Sequence, residues 1–314
     1  MYSQFGINYY ICMSYLIRKK KFNKVIKSWK LKKIGDLVAN YKLDNDNFYN
    51  LKKYVKLYLA KAFNTKYIED DNKFVISLNR KRKYRKNVTP NGGVVPKKEY
   101  LLEFNLILRE WSGILSKIVK GDPKLLSLIR ITPNIRIKFG TELEDNIKRK
   151  LNTSYPHSDA WLEGKWSYNC YLPLLGDTKK NTMKYFFPEK NEFDEKFLRL
   201  SKTYEGMQWV LPHYRAKKIS TDPGKIYISD YAMLHQTHRE KNCKTRISID
   251  TTLVVGKKYP IKYRLVEYKK NISKIGIEEL IKPIRSENDK IRDKEKNKKS
   301  FRHYTFGNLQ LIKL

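Results

Sequence analysis

The chain has 314 residues, enough to bury a substantial core as one large domain or as one domain with appendages. Its 67 Lys and Arg against 32 Asp and Glu leave a formal charge of +35, which suits an anionic partner such as nucleic acid but arises equally from AT-rich codon usage, since Asn, Ile and Tyr are abundant too. Cys12, Cys170 and Cys243 are far apart and form no CxxC pair, which argues against a zinc site or a disulfide framework and for a reducing cytoplasm.

Residues 5–17 are mostly apolar, and the basic cluster Arg18-Lys19-Lys20-Lys21 follows them. A secretory leader carries its positive charge first, and about 13 residues are too few to span a bilayer. A buried strand or short helix is expected there, and no transmembrane segment anywhere. From residue 23 to about 65, apolar residues recur at three- and four-residue spacing between lysines, which predicts helix. Residues 67–78 read as a strand with a turn at Asp70-Asp71-Asn72. The basic run NRKRKYRKN and the Pro/Gly-bearing TPNGGVVPKKEY read as loop and connector. Over 99–119, Leu101, Leu102, Phe104, Leu106, Ile107, Leu108, Trp111 and Ile114 form the apolar stripe of an amphipathic helix suited to bracing a sheet.

From about residue 121 the pattern turns to strands. Ile135, Ile137 and Phe139 alternate with Arg136 and Lys138, as on a strand with one face in a core. The basic face meets either solvent or a cavity, where it would face an anionic ligand. WSYNCYLPLL, NTMKYFF and GKIYISD are β-rich runs bounded by Gly, Pro, Asp or Asn, a spacing that suits a sandwich or jelly roll. Residues 189–216 read as helix or loop, placed to cover the mouth as a substrate-selecting lid. After residue 256 come a lysine-rich, partly strand-like stretch and a charged helical one. The expected organisation is a helical, basic N-terminal region (1–120), a β core (121–256) and a basic C-terminal extension (257–314).

The chemistry concentrates in two short stretches. His157 and Asp159 are two apart in YPHSDAW, so on an extended strand both side chains leave one face. An imidazole and a carboxylate there supply two members of a 2-His-1-carboxylate triad, which holds ferrous iron with positions left open. A distant His usually completes it. His235 and His238 compete for that place, and three apart on a strand they face opposite ways. His235 follows the apolar Tyr231-Ala232-Met233-Leu234, whereas His238 precedes Arg239-Glu240-Lys241, which favours His235. Arg246 and Ser248 then put a guanidinium and a hydroxyl on one face of a further strand, suited to a dicarboxylate such as 2-oxoglutarate. His-x-Asp alone is a weak signal; its conjunction with the later His and the Arg-x-Ser pattern is not. His213, in LPHYR, reads as a plain loop residue or a substrate contact.

The segments HSDAW, YLPLLGDTKKNTMKYFFP, GKIYISDYAMLHQTH and KTRISIDTTLVV resemble the Fe(II)/2-oxoglutarate-dependent dioxygenases. The likeness is to their phytanoyl-CoA-dioxygenase-like branch, and within it to bacterial enzymes of sugar, aminoglycoside and surface-glycan biosynthesis. It spans about residues 131–256 and leaves both ends of the chain outside. It implies a mainly β fold with bracing helices, built on a double-stranded β-helix (jelly roll). It implies His157, Asp159 and His235 as catalytic iron ligands. The eleven-residue interval from His235 to Arg246 fits the family, with Arg246 on the distal carboxylate of 2-oxoglutarate and Ser248 assisting. Asn169, Tyr171, Asn181 and Thr182 fall on strands that face the iron in the family, which makes them supporting or cosubstrate contacts. Fe(II), 2-oxoglutarate and O2 are the implied cofactor set, and a small anionic or sugar-like molecule the substrate. The nucleic-acid demethylases of the same superfamily carry a second Arg six residues after the first, and this chain has Thr252 there. A nucleic-acid substrate is therefore not favoured. A non-catalytic jelly-roll binding protein is the remaining alternative.

Overall fold

The computed structural model describes residues 3–81, 88–89, 91–94, 100–119, 126–129, 133–141, 152–163, 167–190, 195–219 and 221–255. The chain opens with α1 (Ser3–Ser28), one helix that runs through both the apolar stretch and the basic cluster. It ends where Lys30 turns left-handed (φ 52°) and Leu31 N–H bonds back to the Ile26 carbonyl. Next comes a hairpin, not more helix. β1 (Lys32–Gly35) pairs antiparallel with β2 (Val38–Lys42), and this corrects the helical expectation for 23–65. Val38 and Ala39 are fully buried, and β2 continues into the main sheet by pairing with β8 (Lys225–Asp230). That partner lies far along the chain, and no local periodicity reports it.

α2 (Asn45–Ala62) is capped by Asp44, whose carboxylate accepts the Asn47 N–H at 2.8 Å. α3 (Asp71–Arg80) occupies the stretch expected as a strand, a second correction. Asp70 accepts the Lys73 N–H at 2.7 Å, so the Asp-Asp-Asn cluster starts a helix instead of turning a hairpin. Phe74, Val75 and Leu78 then bury one helical face. α4 (Leu101–Val119) forms as expected. Its buried Phe104, Ile107, Leu108, Trp111, Ile114, Leu115 and Ile118 keep the three- and four-residue spacing, and it packs against α2, with the rings of Tyr58 and Phe104 5.7 Å apart.

The strands β3 (Leu126–Ile129), β4 (Asn134–Lys138), β5 (Ser167–Gly176), β8 and β10 (Arg246–Val255) join the hairpin in a seven-stranded antiparallel sheet. Its order is β1-β2-β8-β5-β10-β3, with β4 also on β10. The second sheet has three strands in the order β7-β6-β9, where β6 is Asn181–Pro188, β7 Tyr214–Lys218 and β9 Leu234–Arg239. Strands were expected where β4, β5, β6 and β8 lie. The 189–216 stretch is only in part helix or loop: 3-10 turns cover Glu195–Leu198 and Glu205–His213, and its end, β7, is an edge strand on β6.

Antiparallel partners share a face of the sheet. The register pairs Arg246 with Lys138 and Ser248 with Arg136, while Ile247 and Ile249 pair with Ile137 and Ile135. One face of β10 and β4 is therefore apolar and buried, and the other carries the cations. Gly176 ends β5 at φ 87°, where a Cβ would sit 2.2 Å from the Thr245 carbonyl oxygen, so the chain turns tightly beside Arg246. Among the described residues no helix is long and apolar enough to cross a membrane. Of the basic run 79–87 expected as a loop, Asn79 and Arg80 close α3; its residues 82–87, the charged loop at 142–150 and the extension 257–314 lie outside the described residues.

Candidate metal centre

His157 does not sit in a full strand. It forms a single antiparallel bridge with His235 of β9, through reciprocal backbone bonds of 2.9 and 2.8 Å. Asp159 lies in the turn that enters the short α5 (Ala160–Glu163). The same-face geometry expected of an extended strand is thus supplied by a bridge and a turn. One ligand atom each from His157, Asp159 and His235 lies within 4.8 Å of the others. His235 Nε2 is 3.6 Å from Asp159 Oδ2, and the two imidazole centroids are 4.4 Å apart. His157 and His235 are buried, and Asp159 is partly exposed.

Backbone carbonyls orient both rings. Nδ1 of His157 is 2.8 Å from the Tyr155 carbonyl, and Nδ1 of His235 is 3.1 Å from that of Met233. A carbonyl only accepts, so each Nδ1 carries the hydrogen and each Nε2 keeps its lone pair for a metal. Burial above all, then the adjacent His235, push the His157 pKa well below the ordinary imidazole value. The bond to the Tyr155 carbonyl opposes this, and the charges of Lys138 and Arg136 reinforce it. A neutral imidazole is the form that ligates. Asn169 Nδ2 donates to Asp159 Oδ2 at 2.5 Å, which fixes the carboxylate. The turn at 230–233 ties the two ligand segments together: the Tyr231 carbonyl accepts from Ser158 Oγ and from Ala160 N–H. Asp230 Oδ1 caps Ala232 N–H and takes the Arg18 guanidinium of α1.

Arg246 stands on the polar face of β10 with only 1 % of its surface exposed. Its Nη1 donates to the Asn181 carbonyl at 3.1 Å, and its Nε is buried without a partner. The guanidinium lies 5.4 Å from the Tyr171 ring centroid. Ser248 Oγ, the Tyr171 hydroxyl and Asn181 Oδ1 are likewise buried and unpartnered, although Thr221 and Ser248 approach the Tyr171 hydroxyl. Buried polar atoms normally find partners, and a buried cation normally finds an anion. Several buried polar groups without partners around one guanidinium are what a bound carboxylate would satisfy. The two imidazoles and the carboxylate of the cluster suit a ferrous ion.

The remaining sequence candidates fall as follows. Thr182 pairs in register with His238, and its hydroxyl lies 2.6 Å from that of Thr221, which links it to the Arg246 pocket at one remove. Asn169 meets the Asp159 carboxylate and is not brought to the pocket by any contact the structure shows. Arg136 pairs with Asp250, and Lys138 Nζ donates to Thr153 Oγ1 at 2.9 Å. Both sit on the face shared with Arg246 and Ser248, so the second face of β4 is not a plain solvent surface. His238 stays outside the triad, and His213 is exposed with its ring on Phe197. Sequence reasoning missed Tyr204, whose ring stacks on His157 at 4.2 Å and 25°; nothing in its local sequence marks it.

No family model matches the chain, and no curated protein matches it. Similar solved structures include the non-haem α-ketoglutarate-dependent epimerase SnoN from nogalamycin biosynthesis, with 10% identity over 75% of this chain and 83% of that one and a TM-score of 0.36. AviO1 from Streptomyces viridochromogenes Tue57 is 12% identical over 76% of this chain and 96% of its own, with a TM-score of 0.42. An N-substituted L-amino acid dioxygenase from Burkholderia ambifaria AMMD, in complex with α-ketoglutarate, is 10% identical over 75% and 87%, with a TM-score of 0.35. Likeness at this level leaves the assignment to the residues of this chain.

Proposed function

We propose that this protein is an Fe(II)/2-oxoglutarate-dependent oxygenase of the phytanoyl-CoA-dioxygenase-like kind, working in a reducing cytoplasm on a small polar metabolite. The observation that carries this is the pairing of the His157–Asp159–His235 cluster with the buried, partly unpartnered Arg246. The strand arrangement supports it. One sheet runs β4-β10-β5-β8 and the other His157 bridge-β9-β6-β7, an order compatible with a double-stranded β-helix.

His157 and His235 would hold the metal through Nε2, and Asp159 through the carboxylate that Asn169 steadies. Bound iron would supply the oxidising chemistry, coupling O2 and the decarboxylation of 2-oxoglutarate to oxidation of a substrate C–H bond. Arg246 would clamp the far carboxylate of 2-oxoglutarate as a two-pronged donor, with Ser248 and Tyr171 hydroxyls completing the pocket. The apolar core behind β10 keeps water from the guanidinium and so strengthens that contact. The substrate we favour is a sugar or glycan precursor, such as a nucleotide-activated sugar, whose anionic groups suit a basic protein.

The test is succinate release from 2-oxoglutarate with Fe(II) and O2, screened at physiological salt against nucleotide sugars, acyl-CoA esters and methylated oligonucleotides. Stimulation by nucleotide sugars is expected. Stimulation by oligonucleotides alone or acyl-CoA alone would reject the carbohydrate assignment, and no succinate with intact metal binding would reject the oxygenase assignment.

A further inference from the structure

The stretch 195–213 is fastened to the segment that carries His157 and Asp159 at several points. Trp161 Nε1 donates to the Phe197 carbonyl at 2.6 Å, and Ser201 N–H to the Trp161 carbonyl at 2.8 Å. Gln208 Nε2 bridges the carbonyls of Pro156 and Tyr204, at 2.8 and 2.7 Å. Met207 and Val210 are fully buried beneath it. Between these fastenings Tyr204, 4 % exposed, lays its ring on the His157 imidazole.

We propose that Tyr204 is a positioning residue for His157, seated for that contact by the fastenings on either side of it. Nδ1 of His157 is tied to the Tyr155 carbonyl, which fixes one point of the ring, and the His235 ring lies 4.4 Å away between centroids. The Tyr204 face closes a further side of the imidazole and holds Nε2 toward Asp159 and His235. A π-face also attracts an imidazole that gains positive character on binding a cation. Contacts that orient a ligand in this way typically govern metal affinity by about 10- to 100-fold.

This rests on the metal assignment made above, and the experiment separates the two. Metal-free protein is titrated with Co2+, following the visible d–d absorption, in wild type and in Tyr204→Phe, Tyr204→Leu, Val210→Ala and His235→Ala. Thermal unfolding of each metal-free variant is recorded in parallel. Tyr204→Phe keeps the stacked ring and should bind Co2+ within about twofold of wild type, and Tyr204→Leu should bind about 10- to 100-fold more weakly. Val210→Ala removes buried volume from the same segment without touching His157, so it should lose thermal stability and keep its Co2+ affinity. Wild-type affinity in Tyr204→Leu overturns the proposal. So does a loss in Val210→Ala equal to that in Tyr204→Leu, because general loosening would then explain both. Co2+ binding unchanged in His235→Ala would instead refute the metal assignment itself.

Discussion

Replacing Arg246 by Met tests whether this buried cation exists for a ligand or for the fold. The substitution keeps much of the volume and removes the charge. Loosing the fork from a bound carboxylate forfeits charge-assisted bonds worth about 1.5–3 kcal/mol, which is roughly 10- to 150-fold in 2-oxoglutarate affinity. In the ligand-free protein the terms oppose each other. The variant loses the bond to the Asn181 carbonyl and the contact with the Tyr171 ring, together on the order of 2–4 kcal/mol. It also relieves a 1 %-exposed cation with an unpartnered Nε, and such burial costs several kcal/mol. The ligand-free variant should therefore fall within about 1–2 kcal/mol of wild type, where breaking a structural buried ion pair costs about 3–5 kcal/mol. Urea unfolding of metal-free protein measures the first quantity, and calorimetric titration of 2-oxoglutarate into Co2+-loaded protein the second. At 100 times its Kd, 2-oxoglutarate should stabilise wild type by about 2.7 kcal/mol and the variant by much less at the same concentration. A variant that loses 3 kcal/mol or more without ligand, yet binds 2-oxoglutarate like wild type, would show that Arg246 serves the fold alone.

Substituting Ala for His157, Asp159 or His235 should each abolish Co2+ binding and succinate formation, whereas His238→Ala should retain both; the opposite outcome for His235 and His238 would reverse the ligand assignment. Arg18→Leu strands the buried Asp230 carboxylate (4 % exposed) and should destabilise by about 3–5 kcal/mol, with restoration in Arg18→Leu/Asp230→Asn, both read by urea unfolding. Asp36 accepts from Tyr15 and Lys19 at 2.9 Å and sits 3.2 Å from Lys33. Burial raises its pKa, but the bonds from Lys19, Tyr15 and Lys33 outweigh it and the net shift is downward. Its contribution is therefore complete above the unfolded carboxylate range and fades as pH falls through the lower folded value. Asp36→Asn should be less stable than wild type at pH 7, and the gap should close below about pH 4; a gap independent of pH would show that the carboxylate charge is not what stabilises.

The sequence by itself marked the candidate chemistry-bearing residues, because their types and intervals do not depend on how distant segments meet. His157, Asp159, His235 and Arg246 stand out as donors that a triad and a carboxylate clamp require, and the structure gathers the first three and buries the fourth. The strands β4, β5, β6 and β8 and helix α4 were legible because alternation or a helical stripe survives wherever one face is buried. Tertiary contacts decided the rest. In residues 32–42 the apolar Ile34, Leu37, Val38 and Tyr41 keep helical spacing, yet the segment forms a hairpin because Val38 and Ala39 find β8, about 190 residues on. Asp70-Asp71-Asn72 suits a turn or a helix cap equally, and the burial of Phe74, Val75 and Leu78 selects the cap. Tyr204 and Arg18 showed nothing of their contacts in the sequence. Each meets a group made adjacent only by folding, and such a contact leaves no periodic trace in the chain that makes it.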